Sequence, residues 1–239
     1  MLSEDHNVFT RDDLMLYLKE LARTFRKLNG KRTPAEVILI GGASILINYG
    51  FRDMTTDVDA IIKASSAMKD AANRVGDKFD LPNGWLNSDF MHTDSYSDAL
   101  NEISEYYCTY SNVLEIRTVT AEYLIAMKLK AGRKYKNDMS DIVGILAEHE
   151  KTGNLITMKK IHEAVVKLYG DWSNIPSGSR EFIEDLIAKG NYQQLYDSVR
   201  SEEKLVQKEL INFEESYPDT LRGSNIDDIL RTLEARKDK

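Results

Sequence analysis

The 239-residue chain contains a single cysteine, Cys108. It therefore cannot close an internal disulfide or build a thiolate metal cluster, which suits a reducing compartment. The four histidines, His6, His92, His149 and His162, show no metal-ligand spacing, and His162-Glu163 lacks the second histidine of a zinc hydrolase motif. No apolar run approaches the ~20 residues of a membrane-spanning helix. The acidic amino terminus, MLSEDHNVFTRDDL, lacks the basic-then-apolar pattern of a secretory signal. A cytoplasmic protein with no membrane partner is expected. Basic residues are outnumbered 32 to 39, a net charge of -7, so the surface as a whole repels phosphate backbones. That argues against non-specific nucleic-acid binding but leaves room for a local basic pocket around one triphosphate or one RNA end. No internal repeat, low-complexity tract or proline-rich linker divides the chain.

Regular periodicity fills most of the sequence. Thr10 with Asp13 three residues later reads as a capping box, Leu14, Leu18, Leu21 and Phe25 follow at helical spacing, and Gly30 ends the run. The apolar, β-branched run Glu36–Gly41 predicts a buried strand, and Ala43–Tyr49 a short helix leaving its glycines. Thr55–Lys63 predicts a second strand, Ser65–Phe79 a helix, Pro82-Asn83-Gly84 a turn and Val113–Val119 another strand. The polar stretch Ser88–Glu105 matches no template. From Thr120 onward only helices are expected: Ala121–Tyr135, Met139–Lys151, Met158–Tyr169, Ser179–Lys189, Gln194–Ser216 and Ile226–Arg236. The fold class is therefore α+β, a small mixed sheet with flanking helices followed by an all-helical carboxy-terminal part, divided near Gly153 into 1–153 and 154–239.

The informative segment is Gly41–Asp59. An apolar strand runs into Gly41-Gly42, a short helix follows, and a second strand presents Asp57-Val58-Asp59. In a strand, side chains at i and i+2 share a face, with Cα atoms ~7 Å apart, so both carboxylates point one way while Val58 and Ala60 point the other. Two carboxylates held that close repel each other unless a cation lies between them. Carboxylates completed by water and phosphate oxygens are the ligand set Mg²⁺ prefers, and one or two such ions suit in-line phosphoryl displacement. Gly41-Gly42, lacking Cβ atoms, lets backbone N–H groups approach a phosphate, and Ser44 in the same turn offers a hydroxyl. Alone, Asp-x-Asp or Gly-Gly is usually a solvated turn; the ordered combination carries the signal.

That combination resembles the nucleotidyltransferase signature of the DNA polymerase β superfamily. More closely, Gly41-Gly42, Gly50, Arg52, Thr55 or Thr56, Asp57 and Asp59 look like the first motif of AbiEii-type bacterial nucleotidyltransferases, toxins of some toxin–antitoxin pairs. Ala43 stands between the glycines and Ser44, whereas many members have Gly-Ser directly. A second block, Tyr123–Ala147, is similar to the family's later helix carrying Lys and Arg before Asp-x-x-Asp. The resemblance, over residues 36–147, implies a nucleotidyltransferase that moves a nucleoside monophosphate from a nucleoside triphosphate to an acceptor hydroxyl. The acceptor would be an RNA end, a protein or a small molecule, and the toxin-like branch adds an antitoxin as a further partner. It implies Mg²⁺ on Asp57 and Asp59, nucleotide contacts from Gly41, Gly42, Ser44, Arg52 and Thr56, and roles for Lys128, Arg133, Asp138 and Asp141, with Asp141 orienting Lys128 or Arg133. The alternatives are a non-catalytic binder of nucleotide or partner and an aminoglycoside-type enzyme.

Three residues carry readings of their own. Lys128 interrupts an apolar stripe formed by Leu124, Ile125, Ala131 and Gly132, so it either snorkels to water or meets a buried anion. If its helix continued, Lys130, Lys134, Asp138 and Asp141 would share a face; Lys130 and Lys134 read as a surface ladder. Glu115, a charge inside Val113–Ile116, needs a partner or a metal unless it faces solvent. Superfamily members often add a third carboxylate from a later strand, and Glu115 is the candidate for that metal ligand and for general base. Trp85, following the turn, either anchors a core or stacks on a base.

Overall fold

The computed structural model describes residues 8–31, 33–222 and 225–237. The stretch before residue 8, with His6, lies outside them. Strand β1 (Phe9–Thr10) leads into helix α1 (Arg11–Asn29), whose start is the expected capping box: the Thr10 side chain accepts from the Asp13 N–H, and the Thr10 N–H donates to the Asp13 carboxylate. Gly30, at φ +78°, ends the helix as its left-handed backbone allows. There follow β2 (Ala35–Leu39), α2 (Gly41–Asn48), β3 (Met54–Thr55), β4 (Val58–Lys63), α3 (Ala67–Phe79), β5 (Leu86–Asn87), β6 (Ser104–Tyr110) and β7 (Leu114–Val119). Then come α4 (Ala121–Ala131), α5 (Asp138–Lys151), α6 (Met158–Tyr169), α7 (Ser177–Lys189), α8 (Tyr192–Ser216) and α9 (Ile226–Lys237). Among the described residues no helix is long and apolar enough to cross a membrane.

The fold is α+β. Its five-stranded sheet runs β5-β4-β2-β7-β6 and is mixed: β2 is antiparallel to β4 and parallel to β7, β4 is parallel to β5, and β6 is antiparallel to β7. β1 and β3 pair separately. The period-two alternation of the central strands sends Val37, Leu39, Val58, Ala60, Leu114 and Ile116 to one face, where they share a core with the leucines of α1 and with α3. Ile38, Ile40, Ile61 and Val119 go to the other face, under α4, α5, α6 and α7. That second core draws residues from both sides of Gly153, from Ile38 to Tyr192. Trp85 is a core anchor: its indole N–H donates to the Ala72 carbonyl at 3.0 Å, and its rings pack on Phe9 and Tyr17.

Three expectations need correction. The strand expected over Thr55–Lys63 is two pieces: β3 turns away to pair with β1, and β4 begins only at Val58, so Asp57 sits in the connection rather than in the strand. The helix expected over Ala121–Tyr135 stops at Ala131, because Gly132 adopts φ +57° as its cap. Strand β6 was not anticipated; Glu105 and Tyr106 are both exposed and Tyr107 and Cys108 both half-buried, so period-two alternation fails where its pairing with β7 shifts register between Tyr106 and Cys108 on the edge of the sheet.

Candidate functional site

Where β2 ends and β4 begins, the backbone closes on itself. The Ile40 N–H donates to the Asp59 carbonyl at 2.9 Å, so the residue preceding Gly41-Gly42 lies directly against the second aspartate. The Thr55 hydroxyl donates to the Asp57 carbonyl at 3.1 Å and holds the connection that presents Asp57. Gly42 is required by space: a Cβ there would lie 2.6 Å from the Thr55 hydroxyl oxygen and 2.9 Å from a terminal nitrogen of Arg52. Gly41 is at φ +53°, which favours glycine for its own reason. A cleft of about 830 Å³ opens here, and Gly41, Gly42, Arg52, Thr56, Asp57 and Asp59 all line it.

The opposite wall comes from the ends of α4 and α5. Lys128 is buried, and its ammonium sits 2.9 Å from Asp138 and 2.8 Å from Asp141. Arg52 reaches across from the β3 side to Asp141 at 2.6 Å. Arg133, free of the helix because Gly132 ends it, binds Asp138 through its backbone N–H at 3.2 Å and its guanidinium at 2.9 Å. Of the alternatives for Lys128, the buried anion holds, but that anion is the protein's own. The orienting group for Arg133 is Asp138, while Asp141 serves Lys128 and Arg52. Three cations share two carboxylates, leaving one positive charge in excess. Burial works against the Asp138 carboxylate, yet Lys128 and Arg133 outweigh it and hold the group down at about 2. The loop bearing Arg52 is fixed from behind. A Cβ on Gly144 would fall 2.5 Å from the Phe51 ring, and that ring packs on Tyr49 and Tyr196 at 5.7 and 5.5 Å between centroids.

Neither Asp57 nor Asp59 accepts a side-chain hydrogen bond from a described residue. Burial, and then the neighbouring Asp57 charge, push Asp59 up from 3.8 to about 6, with Arg133 and Lys128 opposing. Asp89 also raises it. Asp89 follows β5, whose Asn87 pairs with Asp59 in register, and the Asp89 N–H donates to the Asn87 side chain at 2.8 Å. Asp89 lines the cleft. A carboxylate pair lacking donors, with a third acid across the strand pair, has the character of a site for a hard cation. No three His, Cys, Asp or Glu side chains among the described residues close on one point, so such a cation would take its remaining ligands from water and phosphate oxygens.

A family model described as "nucleotidyltransferase of unknown function (DUF6036)" matches residues 17–168, more than half of the chain. The chain belongs to that family. No curated protein and no solved structure matches it. The aspartate pair, the glycine turn and the Lys128 cluster of this nucleotidyltransferase all fall within the matched region.

Two residues proposed for the site lie elsewhere in this nucleotidyltransferase. Ser44 is fully buried, and its hydroxyl oxygen accepts the Val119 N–H at 3.3 Å, tying α2 to β7 instead of facing the cleft. Glu115 shares a sheet face with Asp59 but stands at the wrong level. Leu39 pairs with both Ala60 and Thr118, which puts Asp59 level with Val119 and leaves Glu115 four residues back, ~13 Å along the strand. Its charge is met by Arg117 at 2.6 Å. The acid brought to the cleft is Asp89, which the sequence reading missed. Arg200 and Gln207 of α8, also missed, line the same cleft.

Proposed function

We propose that the chain transfers a nucleoside monophosphate from a nucleoside triphosphate to an acceptor hydroxyl, with Mg²⁺ held by Asp57 and Asp59. The observation that carries this reading is the single cleft in which a donor-free aspartate pair and a glycine turn face a cationic cluster with one charge in excess. Bound Mg²⁺ would screen the charge of the phosphates and favour departure of pyrophosphate. Asp57 and Asp59 provide the anchoring carboxylates. The backbone of Gly41 and Gly42 admits the phosphate tail closely, and Thr56 lies beside it. Arg133 and Arg52 face the tail from the other wall, each held by a buried aspartate, while Lys128 braces both aspartates from beneath. Asp89, which lines the cleft, takes the general-base role first given to Glu115. The acceptor oxygen forms a bond to the α-phosphorus, the bond from that phosphorus to the bridging oxygen breaks, and the hydroxyl proton passes to the Asp89 carboxylate.

The likeness of Gly41–Asp59 to AbiEii-type toxins favours a macromolecular acceptor, with an antitoxin as regulating partner. The deciding assay supplies each of four α-labelled nucleoside triphosphates with Mg²⁺ and, separately, total RNA, total protein and an aminoglycoside. Label should move to one acceptor class with release of pyrophosphate, and chelation of Mg²⁺ should stop it. Binding of nucleotide with no transfer to any of the three would favour the non-catalytic alternative.

A further inference from the structure

Helix α8 lies beyond the family-matched region, yet its residues 200, 203 and 207 form a stripe along one side, at helical spacing, facing the cleft and the start of α5. Glu203 in the middle is buried, and its carboxylate accepts the backbone N–H groups of Met139 (2.9 Å) and Ser140 (3.1 Å) as well as the Ser140 hydroxyl. It thus caps α5 from another helix and fixes α8 against the site. Arg200 and Gln207, on either side, both donate to one neutral acceptor, the side-chain oxygen of Asn137; the Gln207 bond is 3.2 Å.

Arg52, Lys128 and Arg133 are each tied to Asp138 or Asp141. Arg200 differs. Its nearest carboxylate oxygen, on Glu203, is 3.7 Å away and already taken by Ser140. A guanidinium has five N–H donors, and only the contact to Asn137 is made within hydrogen-bond distance among the described residues. Two donors converging on one amide oxygen in the lining of the cleft would be better satisfied by an anionic oxygen. We propose that α8 completes the nucleotide site, with Arg200, assisted by Gln207, binding the triphosphate tail, and Glu203 as the positioning residue. The inference rests on the nucleotidyltransferase reading above and adds to it a specificity for the charged tail.

The test is titration calorimetry of the full chain in Mg²⁺ with the four common nucleoside triphosphates and their monophosphates. Arg200→Ala should weaken the best-bound triphosphate about tenfold or more while leaving the monophosphate within about twofold. Arg200→Lys should recover part of the loss, since it restores charge without the fork. Gln207→Ala should show a smaller loss on the same ligand, and all three variants should keep the thermal midpoint of the wild type, which separates a binding role from a structural one. Equal triphosphate binding by Arg200→Ala and wild type would overturn the inference alone, as would equal weakening of the monophosphate. A wild type that binds no triphosphate would remove the nucleotidyltransferase reading together with it.

Discussion

Asp59→Asn should lower nucleotide transfer by roughly 10³-fold or more, about 4 kcal/mol of transition-state stabilisation, while making the metal-free protein more stable at neutral pH. The two effects have one cause. In the folded chain burial and the Asp57 charge raise the Asp59 carboxyl from 3.8 to about 6. A raised folded value means that the group's favourable contribution is complete below pH 4 and disappears as pH rises through 6. At pH 7 the folded protein therefore carries a carboxylate that would be better solvated in the unfolded chain. The full shift corresponds to about 3 kcal/mol. Asp59 is partly exposed, so screening reduces this to on the order of 1 kcal/mol. Asparagine removes the cost and also the metal ligand. Denaturation followed from pH 4 to 7 without metal should show wild type falling below the variant as pH rises. Saturating Mg²⁺ should reverse the order, because a ligand bound only to the native state stabilises it. A variant less stable than wild type at pH 7 without metal would contradict this account of the pair.

Lys128→Met should cost about 3 kcal/mol at pH 7, the largest loss of stability expected from a single site here. The ammonium is buried between two carboxylates at 2.9 and 2.8 Å, and removing one partner of a buried pair leaves charge uncompensated, typically at 3–5 kcal/mol. The lower end applies because Arg133 still holds Asp138 and Arg52 still holds Asp141. For a chain of this size the thermal midpoint should fall by about 6–12 °C. The pH dependence has a definite sign. Asp138 is held at about 2 in the fold against 3.8 ordinarily, so its contribution is present above pH 4 and is lost as pH falls towards 2. Urea denaturation should therefore find the gap between wild type and variant widest above pH 4 and narrowing below it. A loss under about 1 kcal/mol at pH 7 would mean that Lys128 is not the brace of this cluster.

What could be read in advance follows from how local each feature is. The capping box of α1, the glycine turn and the facing of Asp59 opposite Val58 and Ala60 depend on neighbours a few residues away, and all are found. Glu115 shows the limit of periodicity, which gives the face of a strand but not its level; that level is set by pairing with Glu36, distant in sequence. Asp89 was invisible for the same reason, since it reaches the cleft through a two-residue strand whose register with β4 is a long-range fact. The Arg133–Asp138 pair was readable in principle: Gly132 signals a helix end, and ending α4 there brings the two together. Ser44 lies among Ala43, Ile45, Leu46 and Ile47, all buried, so an inward hydroxyl was the simpler reading of that run. Nothing local marks Arg200, which acquires its place only when Glu203 docks α8 on α5.

The central claim is that Asp57 and Asp59 together grip a divalent cation beside the glycine turn. Mn²⁺ in place of Mg²⁺ gives a direct reading, by paramagnetic resonance of free and bound metal, for the full chain and for Asp57→Asn/Asp59→Asn in the presence of a nucleoside triphosphate. Stoichiometric Mn²⁺ binding by the wild type, weakened at least about tenfold in the double variant, is the result this account predicts; indistinguishable binding by the two proteins would contradict it.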